Sequence, residues 1–148
     1  MDDKIILLVE DNQDDAELVL LSLEESHVKN KVFVVHDGVE ALDYLFCTGA
    51  HADREPDGLP EVVLLDLKLP KLDGHQVLER IRADPRTRLL PVVVLTSSDL
   101  DEDVVRSYEG GANSYVRKPV DFGEFSEAVK RLGLYWVLMN IPPPPAAG

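Results

Sequence analysis

Residues 61–66 read Glu-Val-Val-Leu-Leu-Asp, an apolar run without polar alternation that stops on a carboxylate. A short aliphatic, β-branched run of this kind is the pattern of a strand buried on both faces, as in the interior of a parallel sheet. A lone charge is costly inside such a layer, so Asp66 belongs at the strand's carboxyl end. Residues 67–74 are loop chemistry: Pro70 cannot donate to a ladder, and Asp73-Gly74 signals a turn or helix start. An acid in that position lies where open α/β sheets bind ligands. From this stretch alone, Asp66 could equally cap the following helix.

The same design recurs at the start of the chain, where Ile5 to Val9 is an unbroken apolar run ending in Glu10-Asp11. Asn12 or Asp11 can cap a helix, Asp14, Asp15 and Glu17 suit its positive end, and Ala16, Val19, Leu20 and Leu23 recur at helical spacing up to about Ser26. Val32 to Val35 reads as a brief strand and His36-Asp37-Gly38 as a turn. Ala41, Leu42, Leu45 and Phe46 form the stripe of a second helix. Residues 48–60 show neither period and carry Gly49, Pro56, Gly58 and Pro60, which predicts an exposed excursion without chemistry. After the Asp66 strand, residues 74–83 predict a helix with Val77, Leu78 and Ile81 inward, stopped by Pro85. Residues 91–95 are another buried strand, ending on Thr96-Ser97-Ser98.

Residues 101–109 predict the next helix, closed by Gly110-Gly111. Ser114-Tyr115-Val116 is a short last strand running into Arg117-Lys118-Pro119. Asp121 and Glu124 have capping-box spacing and open a final helix through Phe125, Val129 and Leu132. That helix runs long. Its far end, from Leu134 through Tyr135, Trp136 and Leu138 to Met139, holds more apolar surface than one face packed on a sheet can hide. The reading is a single domain over 1–140, with the excursion at 48–60 and an extended last helix, and a mobile proline-rich tail at 141–148.

Composition narrows the partners. Of 148 residues, 28 are Asp or Glu and 15 Lys or Arg, a net charge of −13, which repels nucleic acid, and no basic run offers a local exception. The single cysteine, Cys47, permits no internal disulfide and no cysteine metal cluster; it is expected in a helix core. No signal peptide or membrane span is legible, so a cytoplasmic protein is expected. His27, His36, His51 and His75 fall in separate elements and are expected on the surface or in turns.

Five alternating strand-helix units with buried strands imply right-handed crossovers and a doubly wound five-stranded parallel α/β sheet, whose common order is 2-1-3-4-5. That order brings Glu10, Asp11, Asp66, Thr96 and Lys118 to one crevice. Close carboxylate pairs repel by about 4 kcal/mol at an effective dielectric of 20, so a cation is required. Hard oxygen donors without His or Cys suit Mg²⁺. Lys118 adds a second positive charge and Thr96 a neutral donor, a setting for a carboxylate nucleophile in phosphoryl transfer.

Together, the acid pair after the first strand, Leu-Leu-Asp-Leu-Lys-Leu-Pro around Asp66, Val-Val-Val-Leu-Thr-Ser-Ser ending on Ser98, and Tyr-Val-Arg-Lys-Pro ending on Pro119 resemble the receiver domain of two-component response regulators, with its flavodoxin-like fold, over about residues 5–132. The resemblance implies that Asp66 accepts a phosphoryl group from a sensor histidine kinase. It implies that Asp11, Asp66 and the backbone carbonyl of Lys68 bind Mg²⁺ directly and Glu10 through water. Thr96 and Lys118 would hold the phosphoryl oxygens, Tyr115 would swing inward as Thr96 moves, and Lys118-Pro119 would be a cis peptide. The face from the fourth to the fifth helix would change shape. With no DNA-binding or catalytic domain following, the output is expected through protein contacts. The excursion, the Leu-Gly-Leu-Tyr-Trp stretch and the proline tail are further similar to single-domain regulators that partner bacterial phytochromes and dimerise through the last helix. The side chain of Lys68, two residues from Asp66, departs from the smaller polar residue common in receivers.

Other functions meet specific obstacles. An aspartyl phosphatase or phosphotransferase on a similar sheet commonly needs an acid where Lys68 stands. A flavin or nucleotide binder lacks a glycine-rich cradle after the first strand. A non-signalling dimerisation module has no use for Asp11, Thr96 and Lys118 together. For Tyr115, packing in a short strand is the plain alternative to a switching role.

Overall fold

A computed structural model describes residues 5–26, 30–54, 58–118 and 121–144. The chain runs β1 (Ile5–Val9), α1 (Gln13–Glu25), β2 (Lys31–Val35), α2 (Gly38–Phe46), β3 (Val62–Leu65), α3 (Gly74–Ala83), β4 (Val92–Thr96), α4 (Asp101–Glu109), β5 (Ser114–Arg117) and α5 (Phe122–Gly133). All four strand pairings are parallel and the order is β2-β1-β3-β4-β5. The expected doubly wound sheet is therefore the observed one.

Strand alternation divides the core in two. Ile6, Leu8, Val62, Leu64, Val93 and Leu95 face α1 and α5, meeting Val19, Leu23, Phe125 and Val129. Leu7, Val9, Val63, Leu65 and Val92 face the opposite way, onto Ala41, Leu45, Val77, Leu78 and Ile81 of α2 and α3. With both faces covered, β1, β3 and β4 contain almost no water-accessible atoms. This explains why their sequences lack polar alternation. Leu20, placed on the helical stripe by spacing, is 37% exposed, while Tyr44, not placed on any stripe, is 2% exposed.

Four helices begin on a side-chain cap: Asn12, Asp37, Asp73 and Asp121 each accept a backbone N–H from the first turn. Asp73, not Asp66, caps α3, with Gln76 returning the bond to the Asp73 N–H. Asp66 is thereby left free for other chemistry. The fifth helix, α4, begins at Leu100 without a side-chain cap.

Residues 48–60, expected as an exposed excursion, carry local structure of their own. Gly49–His51 form a 3-10 turn. Arg54 donates to the carbonyls of Tyr44, Leu45 and Gly58 and lies over the Tyr44 ring, 4.2 Å from its centre. His51 packs edge-on against Phe33 and Tyr44 and pairs with Glu40 at 3.2 Å. The segment is held by side chain to backbone bonds, which leave no hydrophobic period to read; residues 55–57 lie outside the described residues. Cys47 is not a helix-core residue but the half-buried cap that ends α2, at φ +56°.

After α5 the chain continues as a π turn, Leu134–Met139, closed by Asn140 N–H to the Tyr135 carbonyl at 2.6 Å. Val137 is buried there, and Trp136, expected exposed, packs partly against the α1/α5 core. Tyr135 and Met139 point out, at 50% and 71% exposure. The Leu138 side chain, residues 145–148 of the tail and the Lys118-Pro119 peptide lie outside the described residues.

Candidate functional site at the carboxyl edge of the sheet

The sheet itself sets the site. Where β1, β3 and the edge strand β5 stop, the next N–H still bonds to the neighbouring strand: Glu10 to the Val35 carbonyl at 3.0 Å, Asp66 to Val9 at 3.1 Å, and Lys118 to Thr96 at 2.7 Å. These bonds fix three backbone positions on the rim, and their side chains turn into one crevice. Gly74 lets α3 start against that rim, since a Cβ there would lie 2.4 Å from the Asp66 carbonyl oxygen.

Asp66 accepts three hydrogen bonds. Its Oδ1 accepts from Thr96 Oγ1 at 2.9 Å and from the Lys68 N–H at 3.2 Å, and its Oδ2 accepts from Lys118 Nζ at 3.0 Å. The Lys118 ammonium spends its three protons on Asp66, Glu10 and Asp15, the last at 3.0 Å. Asp15 was legible only as a helix-start acid. It lies one turn beyond Asp11 and so reaches the same ammonium from α1. Glu10 is buried and also accepts the Asn12 N–H at 3.2 Å.

Charge accumulates here with little water to screen it. Burial raises the Glu10 carboxyl to about 7, against the pull of Lys118 and with the push of Asp66. Burial would also raise Asp66, but the Lys118 charge and the hydrogen bonds it receives outweigh that and hold it below the ordinary value. Burial works against the Lys118 charge as well, yet the bond to Glu10 and the charge of Asp66 keep it firmly protonated.

Oxygens of Glu10, Asp11 and Asp66 lie within 4.8 Å of one another, Asp11 exposed at the mouth and the other two buried. An all-carboxylate set suits a hard divalent cation that keeps several waters, and the ammonium of Lys118 already shows that the cluster requires positive charge. Lys68 lines the cleft beside Asp11 and Asp15. Tyr115 is not in the crevice: its ring is half-buried and its hydroxyl donates to the Ser98 carbonyl at 3.1 Å. All the residues placed in the crevice by strand order are thus together there.

Of the histidines expected on the surface or in turns, His51 does lie in a turn but packs inward, and His75 is a largely buried residue of α3. His51 belongs to the aromatic cluster on α2, and His75 Nε2 bonds Asp103 Oδ1 at 3.2 Å with the imidazole 9% exposed. His36 Nδ1 approaches the Glu10 carbonyl at 3.3 Å, and His27 lies outside the described residues.

A five-stranded doubly wound sheet whose rim gathers an acid triad, a hydroxyl and a lysine defines a receiver-type signalling domain. The chain belongs to the response regulator receiver domain family, which it matches over residues 6–130. It is 43% identical to the probable methanogenesis regulatory protein FilR2 of Methanothrix harundinacea (strain 6Ac), over 96% of this chain and 89% of that protein. Two solved structures superpose with a TM-score of 0.88 over 95% of this chain and 99% of theirs: the phosphorylated cyanobacterial phytochrome response regulator RcpA, 38% identical, and the Mn²⁺-bound form of response regulator Rcp1, 35% identical. Rcp1 is a protein of Synechocystis sp. (strain ATCC 27184 / PCC 6803 / Kazusa). The chain is therefore a receiver domain related to phytochrome response regulators. Among the described residues no helix is long and apolar enough to cross a membrane.

Proposed function

We propose that this chain is a phosphorylation switch in which Asp66 accepts a phosphoryl group from a sensor histidine kinase, a bacterial phytochrome. The observation that carries the reading is Asp66 itself, a buried carboxylate that no helix uses as a cap, bonded at once to Thr96 Oγ1 and Lys118 Nζ. An Asp66 oxygen attacks the phosphorus of the donor's phosphohistidine; the new O–P bond forms as the P–N bond breaks and the imidazole leaves with a proton. Thr96 Oγ–H and Lys118 Nζ then donate to the phosphoryl oxygens. Bound at Glu10, Asp11, Asp66 and the Lys68 carbonyl, Mg²⁺ would supply positive charge to the transferring oxygens. The Mn²⁺ held by Rcp1 supports a divalent ion in this acid set.

Tyr115, bonded to the loop that follows Thr96, would move with it and pass the change to the α4–α5 face. Output runs through protein contacts in the cytoplasm, and exposed Leu134, Tyr135 and Met139 supply the apolar surface of a homodimer built on the last helix. A phosphatase reading gains nothing here, since Lys68 occupies the place of its second acid. Acetyl phosphate with Mg²⁺ labels the wild type, and Asp66→Asn takes up no label on intact-mass spectrometry; equal labelling of both would refute the assignment. Tyr135→Glu converts the dimer to a monomer in light scattering, and an unchanged mass would remove the last helix from the interface.

A further inference from the structure

α4 is poorly fastened by its own sequence. It has no side-chain cap, buries only Ser107 among its residues, and carries Leu100, Val105 and Tyr108 at 52%, 55% and 51% exposure. An uncapped short helix with one buried side chain is marginal. A chain of side-chain bonds fastens it from outside. His75 on α3 meets Asp103 Oδ1 at 3.2 Å, and Ser98 Oγ donates to Asp103 Oδ2 at 2.5 Å. The Tyr115 hydroxyl donates to the Ser98 carbonyl at 3.1 Å.

The Ser98 and His75 side chains of this clasp are shielded from water, while the Asp103 side chain is 25% exposed. Ser98 is 5% exposed and the His75 side chain 9%. His75 Nδ1 is buried without a partner, so the imidazole makes its hydrogen bonding entirely through Asp103. The Ser98 hydroxyl and the imidazole beside it hold the Asp103 carboxylate below its ordinary value, consistent with a charged acceptor serving both sides.

The same loop begins at Thr96, whose hydroxyl now donates to Asp66. Residues 97–100 are thus held at one end by the phosphoacceptor and at the other by Asp103. When Thr96 turns toward a phosphoryl group, the loop moves only if Ser98 lets go of Asp103 or if α4 leaves His75.

We propose that His75 and Asp103 are positioning residues, a clasp that holds α4 and the loop after Thr96 in the resting arrangement and sets how readily Asp66 is phosphorylated. The inference rests on the phosphoryl reading for its second half alone. Asp103→Ala removes both bonds of the clasp, His75→Leu removes the α3 side of it and leaves Ser98 on Asp103, and His75→Gln retains a donor at about the same reach.

The test has two readouts. In the unphosphorylated protein, ¹⁵N relaxation dispersion over residues 97–104 is expected to gain exchange in both loss variants. With acetyl phosphate and Mg²⁺, labelling is expected to be about five- to tenfold faster in Asp103→Ala, less accelerated in His75→Leu, no faster in the double variant than in Asp103→Ala alone, and near wild type in His75→Gln, because both bonds of the clasp end on Asp103. Unchanged exchange, or labelling gains that add in the double variant, would overturn the clasp, as would a lower melting temperature with wild-type exchange and rates. A wild type that takes up no label would count against the phosphoryl reading, and the exchange data would still decide the clasp.

Discussion

Lys118→Met is the sharpest perturbation of the crevice, because methionine keeps the apolar stem and deletes only the charge. In the wild type that ammonium bonds Glu10, Asp15 and Asp66 from a position with 6% side-chain exposure. Without it, buried Glu10 and Asp66 face each other within 4.8 Å, a repulsion of about 3–4 kcal/mol at an effective dielectric of 20. Glu10, already raised to about 7 with Lys118 beside it, is pushed higher once that charge is gone, so it takes up a proton and relieves part of the repulsion, and about 2–3 kcal/mol of destabilisation remains at pH 8. For a domain of this length that lowers the melting temperature by roughly 5–12 °C. Circular dichroism in EDTA reads the loss. Titrated Mg²⁺ should restore most of it, and calorimetry should give a Mg²⁺ affinity at least about tenfold above wild type, since no fixed cation competes. A variant that melts at the wild-type temperature in EDTA, or that Mg²⁺ leaves unmoved, would refute the view that Lys118 serves as the resting counter-charge.

Two further outcomes follow from groups away from the crevice. Arg82 donates to the carbonyls of Thr87, Arg88, Leu90 and Gly111 and to Asn113 Oδ1, so Arg82→Ala should cost about 2–3 kcal/mol in urea unfolding, and Arg82→Lys should recover only a fraction, because one ammonium cannot span that fan. The Asp103 carboxyl lies below 3.8 in the fold, so its contribution is complete above that value and fades as pH falls through the folded pKa; the stability gap between wild type and Asp103→Asn should therefore narrow from pH 6 to pH 3, and a constant gap would contradict the charged bonds to Ser98 and His75.

The crevice was legible because buried parallel strands write their ends into the sequence. β1 and β3 stop where their apolar runs stop and β4 one residue later, on Thr96, and the strand order alone then decides which residues meet. Glu10, Asp66, Thr96 and Lys118 needed nothing more. What escaped the reading lies on helices and loops and is joined across the fold. His75 and Asp103 are 28 residues apart, and neither disturbs the apolar period of its helix. Asp15 has a sufficient local reason to exist at the positive end of α1, which masked its bond to Lys118. Arg54 packs through backbone carbonyls, which every residue possesses, so no residue type announced its partners. Trp136 packs partly against the core from a π turn, a geometry that no residue type at 134–139 announces.

That wider turn makes the carboxyl end of the molecule tolerant of length in an unusual way. A π turn takes one more residue per hydrogen-bonded loop than an α turn, so losing one residue between Leu134 and Met139 would let the helix relax to ordinary geometry without tearing the backbone ladder. The residues beyond the deletion would rotate about the axis, turning a different set of side chains outward. Single-codon gains and losses at this point could therefore re-aim the protein's outer aromatic face in lineages that leave the phosphoryl chemistry untouched.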